Sequence, residues 1–253
     1  MWILRHQKNV TAKRIARELG CRQSYSFVPR RKHFLINYGS TYPYSDMNAD
    51  IITNKIRAQR ILEENNIVMP KIYLRGEEVK DSAFPLLARR ATHSRGKDII
   101  YIKNREHLQH VIDEERGRGY KLYDYLVEYI NKSSEYRVHI LNNPFDKTTY
   151  TTMVNVKIKK EENADPIVRN KDNGWAQISY ENDFYDSLIN LGSKCVKVLG
   201  YDFGAVDIIR KKGDLYVLEV NSAPGLEPRK IQVYVNYFKE MYKQWRRGYV
   251  RSI

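Results

Sequence analysis

Two oxygen-bearing side chains lie two residues apart near the end of the chain, in the segment LEVNSAPGLEP. Side chains of a strand alternate between its faces, so Glu219 and Asn221 point one way while Leu218 and Val220 point the other. Carboxylate and amide oxygens are the ligands that Mg²⁺ or Mn²⁺ prefers. The spacing therefore predicts a site for a hard cation at the end of a strand.

Asp207 is a third candidate ligand, in the segment FGAVDIIR just before LYVLEVN. The intervening KKGD predicts a hairpin with Gly213 in its turn. A three-residue loop at 212–214 would set Asp207 opposite Glu219, whereas a two-residue loop would slip the register and turn Asp207 to the other face. The metal interpretation therefore predicts the three-residue loop. The alternative is a polar sheet edge that binds no metal.

The segment FPLLARRATHSRGKDI could hold polyphosphate. Four apolar residues precede Arg89 and Arg90, and a loop containing Ser94 and Gly96 follows. Glycine lets backbone N–H groups approach an anion closely, and arginine adds charge. The spacing is not that of a Walker motif. A basic surface hairpin is the alternative.

The segment YDYLVEYINKSSEYRVHI could contact a nucleoside. The run from Glu128 through Tyr129 to Ile130 ends an apolar strand, where backbone groups can pair with an adenine edge. Glu135 suits ribose hydroxyls, and Arg137 follows it at an alternate strand position. The alternative is a surface ion pair between these two residues.

These segments need an α+β framework. Periodicity predicts a helix that Thr11 caps and Gly20 ends, a strand at 34–38, helices in 54–66 and 105–117, and a hairpin on either side of 92–97. Towards the C-terminus, EYRVHILNN, KTTYTTMVNVKIKK, 203–210 and 215–221 predict an antiparallel set with a helix at 182–199 between. Residues 1–47 read as a small α/β region.

The composition is that of a soluble globular protein, with one unusual feature, a net charge of +14. The charge suits a nucleic-acid binder, or a solvated basic surface with a site for polyphosphate and an acidic substrate. Cys21 and Cys195 form no disulfide framework, which favours a reducing cytoplasm. We expect neither a signal peptide nor a membrane span, because no suitable apolar run is present.

In this order, the segments from about Asn54 to Glu227 resemble the ATP-grasp superfamily, most closely its RimK-like carboxylate–amine ligases. The most specific match is the closing segment VDIIRKKGDLYVLEVNSAPGLE, with the family's Asp, Glu and Asn. The resemblance implies an ATP-grasp fold of two α/β lobes with antiparallel sheets clamping ATP. We expect the short cap at 1–47, the N-terminal lobe at 48–127 and the C-terminal lobe with the metal site at 128–253. Small stand-alone members, including phage-encoded ones, have a similarly short front region.

The resemblance also implies roles for individual residues. Arg89 stands where the family has a lysine that grips the phosphates, which keeps the charge but changes its geometry. The remaining nucleotide-binding candidates are Lys55, Ser94, Gly96, Glu128, Tyr129, Ile130, Glu135 and Lys157. The implied metal ligands for Mg²⁺ or Mn²⁺ are Asp207, Glu219 and Asn221, and the implied catalytic residues are Arg137 and Arg169.

The implied reaction joins a carboxylate to an amine at the expense of ATP. The carboxylate attacks the γ-phosphate to form an acyl phosphate, and the amine, such as an amino acid, displaces the phosphate. The acceptor would be a peptide, a protein or another macromolecule, and an acidic tail or a nucleic acid would suit the basic surface. One alternative is an ATP-grasp kinase that phosphorylates an alcohol. Another is a nucleotide-gated, possibly nucleic-acid-binding, protein without chemistry.

Overall fold

The computed structural model describes residues 2–5, 9–25, 33–75, 77–91 and 98–251. The predicted closing loop at 92–97, with Ser94 and Gly96, lies outside these ranges. Within them, the chain forms one parallel sheet, two antiparallel sheets and five α-helices. None of these helices is long and apolar enough to cross a membrane.

The N-terminal region is a three-stranded parallel sheet with one helix. Its strands are β1 (Trp2–Arg5), β2 (Arg22–Ser24) and β3 (Leu35–Tyr38), in the order β2-β1-β3, and α1 (Val10–Leu19) joins the first two. The predicted cap at Thr11 is wrong. Helix α1 starts two residues earlier than a cap at Thr11 would allow, and the Asn9 side chain accepts a hydrogen bond from the Ala12 N–H at 2.9 Å. Gly20 ends α1 with φ of 61°, as predicted.

A four-stranded antiparallel sheet, here called the small sheet, follows the N-terminal region along the chain. Its strands are β4 (Ile72–Leu74), β5 (Leu86–Arg89), β6 (Ile100–Ile102) and β7 (Tyr125–Glu128), in the order β4-β7-β5-β6. Helix α2 (Lys55–Glu64) precedes β4, and helix α3 (Arg105–Arg118) connects β6 to β7. The pairing of β5 with β6 confirms the predicted hairpin. Leu86, Ala88 and Ile102 pack with Val111 of α3 in its core.

A five-stranded antiparallel sheet, here called the large sheet, carries most of the site residues. Its strands are β8 (Ser134–Asn142), β9 (Thr149–Lys159), β10 (Trp175–Ser179), β11 (Phe203–Lys211) and β12 (Asp214–Asn221), in the order β10-β9-β8-β11-β12. Helix α4 (Tyr185–Val198) covers its apolar face. At Gly192 a Cβ would lie 3.0 Å from Cγ1 of Val138, so glycine permits this close approach of helix and sheet.

The last helix, α5 (Pro228–Arg251), ties the C-terminus to the N-terminal region. Its Tyr234 and Phe238 pack with Ile15 of α1, Phe34 and Phe203 in one buried cluster. The sequence patterns predict neither α5 nor β10. The arrangement confirms the predicted α+β class with its antiparallel sheets, while the division at 47 and 127 stays a prediction.

Candidate active site

One face of the large sheet is polar, and the predicted residues line it. Cross-strand pairing places one residue from each strand in a continuous row across this face. In order, the row is Ser179, Asn155, Arg137, Asp207 and Glu219. The opposite face carries valines, isoleucines and Tyr136 against α4. Because side chains alternate along each strand, an apolar core on one face leaves a polar row on the other.

The hairpin between β11 and β12 sets Asp207 opposite Glu219, but not through the predicted loop. The turn has two residues, Lys212 and Gly213, both with positive φ (51° and 104°). The register then shifts between Ile208 and Asp207, because Leu218 is an extra residue in β12. This β-bulge adds the offset that the short turn lacks. The predicted three-residue loop is wrong, although the predicted pairing is present.

Asp207, Glu219 and Asn221 converge at the end of the hairpin. The Asn221 amide nitrogen lies 3.1 Å from Oε1 of Glu219 and 3.4 Å from Oδ2 of Asp207. It therefore places a donor between two carboxylates, where a cation would also be stabilised. Within the described ranges, no three His, Cys, Asp or Glu side chains group as a metal site. The candidate site is two carboxylates and one amide, whose oxygens suit Mg²⁺, and a half-turn of the amide would present its Oδ1.

Arg137 and Asp207 form a bidentate ion pair on the polar face. Nε and Nη2 of Arg137 donate to the two carboxylate oxygens, each at 2.7 Å. Burial alone would raise the pKa of Asp207, but the charge and hydrogen bonds of Arg137 outweigh burial and lower it. The same pairing raises the pKa of Arg137. Both groups are therefore charged.

Two cations reach the metal candidates from outside the large sheet. Lys55, the first residue of α2, places Nζ 3.5 Å from Oε2 of Glu219. Arg89, at the end of β5 in the small sheet, places Nη2 3.9 Å from the same oxygen. The three cations Lys55, Arg89 and Arg137 outnumber the two anions Asp207 and Glu219, so this region carries a net positive charge that would suit a polyphosphate.

Glu135 and Lys157 lie in a second group of charges, two residues along the strands from the row. Lys157 pairs with Oε1 of Glu135, and Lys132 pairs with Oε2 at 3.3 Å. Burial is the main cause that lowers the pKa of Lys132, although Glu135 opposes the shift. Glu135 is therefore already engaged by two buried lysines.

Arg169 belongs to this second group rather than to the metal candidates. Its guanidinium stacks 4.5 Å from the Trp175 ring and donates to the Lys132 carbonyl at 3.0 Å. Burial lowers the pKa of Arg169, and the charge of Glu135 opposes the shift. The two predicted catalytic arginines thus lie in separate groups.

The predicted hinge joins the small sheet to the large one. The Glu128 N–H donates to the Lys71 carbonyl at 2.8 Å, and the Tyr129 N–H donates to the Pro85 carbonyl at 3.1 Å. Ile130 is buried. A base bound here would have to use the other backbone groups of the hinge.

Sequence reasoning missed the buried His139, Asn155 and Lys230 and the half-buried Lys132 and Gln177, which lie on or beside the polar face. Asn155 had a usable signal, since it stands two residues before Lys157 on the same strand. Lys230 had none, because its contact with Gln177 joins α5 to β10 across 53 residues.

Comparison with known proteins points to one family. The model of the RimK-like ATP-grasp domain matches residues 52–244, more than half of the chain. Comparison with curated protein sequences finds no significant match. This family match indicates an ATP-dependent ligase.

Similar solved structures share the fold. The D-alanine–D-alanine ligase from Bacillus anthracis superposes with a TM-score of 0.66 at 15% identity, over 100% of this chain and 98% of that one. A complex of the Bacillus anthracis ligase with ATP gives a TM-score of 0.64 at 15% identity, over 95% and 93%. Together with the family model, the fold and the paired sheets show that the chain belongs to the RimK-like ATP-grasp family.

Proposed function

We propose that the protein forms amide bonds between a carboxylate and an amine, with ATP and Mg²⁺ or Mn²⁺, by way of an acyl phosphate. The observation that carries the proposal is the convergence on Glu219. Lys55 and Arg89 reach it from α2 and the small sheet, while Asp207 and Asn221 flank it on the large sheet. Cations from one side and oxygen ligands from the other suit the triphosphate of a metal–ATP complex.

In the first step, a carboxylate oxygen of the acceptor attacks the γ-phosphorus of ATP. The bond to the bridging oxygen breaks, ADP leaves and an acyl phosphate remains. Positioning and charge neutralisation provide the catalysis, because the protein forms no covalent bond. Lys55 and Arg89 hold the outer phosphates. A bound Mg²⁺, held by Asp207, Glu219 and Asn221, supplies further positive charge there.

In the second step, the amine nitrogen attacks the carbonyl carbon of the acyl phosphate. The bond from carbon to the phosphate oxygen breaks, and inorganic phosphate leaves with the proton that the amine gives up. Arg137 is the better placed of the two catalytic candidates, since it contacts Asp207. We assign Arg169 and Lys157, beside Glu135, to the nucleotide side.

The proposed acceptor is an acidic peptide or protein. The net charge of +14 favours an anionic macromolecule, and it would concentrate such an acceptor near the site. The same charge would attract nucleic acid, so DNA serves as a competing acceptor in the test. The free Cys21 and Cys195 support a reducing compartment such as the cytoplasm.

The test measures ADP and phosphate release from Mg–ATP with a pool of amino acids and either acidic peptides or DNA. Mass spectrometry follows the acceptor. The wild type should add an amino-acid mass minus water to the peptide. Glu219→Ala should reduce release at least about 100-fold, whereas the exposed Glu162→Ala should leave it unchanged. A gain of one phosphoryl mass on the acceptor would instead establish a kinase. ADP and phosphate release that is the same in Glu219→Ala as in the wild type would contradict the proposed site.

A further inference from the structure

The positive charge of the chain is concentrated at its two ends. Residues 1–47 contain nine lysines and arginines against two acidic residues, and residues 228–253 contain seven against one. These two segments carry +13 of the net charge of +14, whereas residues 48–227 contain 28 lysines and arginines against 27 acidic residues. All the candidate metal and nucleotide ligands lie in this nearly neutral middle part, so the ligase site does not account for the excess charge.

The two basic segments pack against each other. Ile15 of α1 and Phe238 of α5 lie in the same buried cluster. The centre of the Phe34 ring lies 5.9 Å from that of Tyr242 and 5.7 Å from that of Trp245. Because the apolar sides of α1 and α5 face this shared core, their charged side chains lie on the outside. The exposed cations of both helices therefore belong to one surface.

Two open cavities on this surface join into one groove, here called the basic groove. The first has a volume of about 730 Å³ and lies between α1 and β2, and the second, of about 500 Å³, reaches α5. Gly20 and Cys21 line both cavities, so the two are continuous. The lining residues that can carry a positive charge are Lys13, Arg14, Arg17, Arg22, His33 and Lys239. Among the described residues no acidic side chain lines either cavity, so the groove has one sign of charge along its length.

The chain itself leaves most of this charge unneutralised. Arg17 pairs with Glu18 at 3.8 Å, but both side chains are exposed, and such pairs are weak. In the part of the chain that the structure describes, the exposed Lys13, Arg14 and Lys239 form no ion pair. A concave surface lined by cations alone attracts a polyanion from solution.

Helix α5 extends the basic groove beyond the second cavity. Lys239, Lys243 and Arg246 are exposed and recur at intervals of four and three residues, so they share one side of the helix. This stripe of cations is about 10 Å long, since an α-helix rises about 1.5 Å per residue. A long polyanion that enters the groove would therefore meet further cations along α5.

Two tyrosines lie among the cations of the basic groove. Tyr25 lines the first cavity and is 51% exposed, and Tyr242 lines the second. Cations that contact phosphates, combined with aromatic rings on which bases stack, are the features that bind single-stranded nucleic acid. An acidic peptide would use the same cations but has no flat bases for the rings. The tyrosines therefore favour a nucleic acid over an acidic peptide.

We propose that the basic groove and the cation stripe on α5 form a docking surface for single-stranded nucleic acid. The phosphates pair with Lys13, Arg14 and Lys239, and bases stack on Tyr25 and Tyr242. This surface is separate from the candidate ligase site, and the proposal goes beyond the proposed ligase function without depending on it. The competing occupant is an acidic peptide, and the competing view without an occupant is a solvated basic surface.

The test measures the fluorescence anisotropy of a labelled oligothymidylate at increasing salt. The wild type should bind with a Kd of about 10 μM or less at about 50 mM salt. A plot of log affinity against log salt should have a slope of about −3, as expected for four phosphate contacts with a single strand. Oligouridylate of the same length is the second arm, and tighter binding of one of the two identifies DNA or RNA as the ligand.

A triple variant tests the basic groove. Changing Lys13, Arg14 and Lys239 to glutamine should weaken binding at least about 30-fold and reduce the slope to about −1. The matched control changes three exposed lysines outside the groove to glutamine and should bind like the wild type. These lysines are Lys80, Lys103 and Lys197. Both variants lose the same charge, so equal loss of binding in the two would reduce the effect to net charge and overturn the surface.

Tyr25→Ala separates the two possible occupants. It should weaken oligonucleotide binding about 5- to 100-fold, because a stacked base is lost, and should leave the binding of polyglutamate unchanged. Unaltered oligonucleotide binding in Tyr25→Ala, together with tighter binding of polyglutamate by the wild type, would assign the groove to an acidic peptide instead. The proposal also fails if the wild type binds no oligonucleotide at low salt, or if a non-hydrolysable Mg–ATP analogue displaces the oligonucleotide. The second result would place the binding in the candidate active site.

Discussion

Asp207 and Arg137 lie directly opposite each other on β11 and β8 and share two hydrogen bonds of 2.7 Å. The pair occupies the centre of the polar row, between the metal candidate Glu219 and the buried Asn155. Pairing with Arg137 lowers the pKa of Asp207 and keeps the carboxylate charged, which is the form that would ligate a metal. The pair therefore joins the metal candidates to Asn155 and Ser179 in the rest of the polar row.

Removing Arg137 should destabilise the protein strongly. Arg137→Met leaves a buried carboxylate at Asp207 without its partner, which should lower the free energy of unfolding by about 3–5 kcal/mol at neutral pH. The measurement is urea unfolding followed by circular dichroism. The exposed Arg116→Met on α3 is the control, with an expected change within about 0.5 kcal/mol.

The loss of stability in Arg137→Met should also depend on pH. Because the pKa of Asp207 is lowered in the folded state, the stabilisation by the pair is complete above the unfolded carboxyl pKa of about 4 and declines as the pH falls below it. The difference between wild type and Arg137→Met should therefore shrink in acid. A constant difference across that range would contradict the assignment.

His139 should make the protein less stable as the pH falls from about 7 to 5. Burial is the main cause that lowers its pKa to about 3, helped by Arg137 and Lys230 and opposed by Asp207. The unfolded imidazole, with a pKa near 6.5, binds a proton in this range while the folded one does not. His139 should account for about 2 kcal/mol of the loss between pH 7 and pH 5. His139→Asn should have a flatter profile in urea unfolding, and an equally steep one would refute this origin.

The contact of α4 with β8 should not tolerate a methyl group at Gly192. An added Cβ would lie 3.0 Å from Val138, a stiff β-branched residue in the core. Gly192→Ala should lower stability by about 1–3 kcal/mol, because the cost of overpacking exceeds the gain in helix propensity. Gly117→Ala in α3 meets nothing within 4 Å and should raise stability by up to about 1 kcal/mol. Denaturant midpoints that move in the same direction for both variants would contradict this account.

Arg89 should act on nucleotide affinity. It reaches Glu219 from the small sheet at 3.9 Å, so Arg89→Met should raise the KM for ATP about 10- to 100-fold. The KM of Arg89→Lys should lie between those of the wild type and Arg89→Met, because lysine keeps the positive charge but lacks the planar guanidinium. Steady-state ADP release at varied ATP measures this effect. An unchanged KM would show that Arg89 does not bind the phosphates of ATP. Arg116→Met again serves as the control.

Local patterns predicted much of the fold. Helical spacing ended by Gly20 identified α1, helical spacing within 54–66 identified α2, and four of the five strands of the large sheet were identified from their sequence patterns. Strand β10 was not predicted, since its five residues are an edge segment that pairs only with β9. Helix α5 was not predicted either, although its buried aromatic residues complete the core of the N-terminal region.

The hairpin shows why register cannot be taken from loop length. The alternation of Glu219 and Asn221, and the facing position of Asp207, were predicted correctly. The predicted three-residue loop was wrong, because a two-residue turn and a bulge at Leu218 together give the same register as that longer loop. The bulge places Val217 and Leu215 with Val220 in the apolar core, whereas strict alternation from Glu219 would turn Val217 to the polar face, so burial of these apolar residues selects the register.

The sequence by itself determined the types and spacing of Asp207, Glu219 and Asn221, and so the family and the chemistry that oxygen ligands permit. Alternation along a strand is a local property, and it needs no knowledge of distant segments. Only the tertiary structure decided that Lys55 and Arg89 meet Glu219, that Arg137 pairs with Asp207, and that Lys230 lies over Gln177. These contacts join distant segments, and packing of the sheets and α5 brings them together because it buries apolar surface elsewhere.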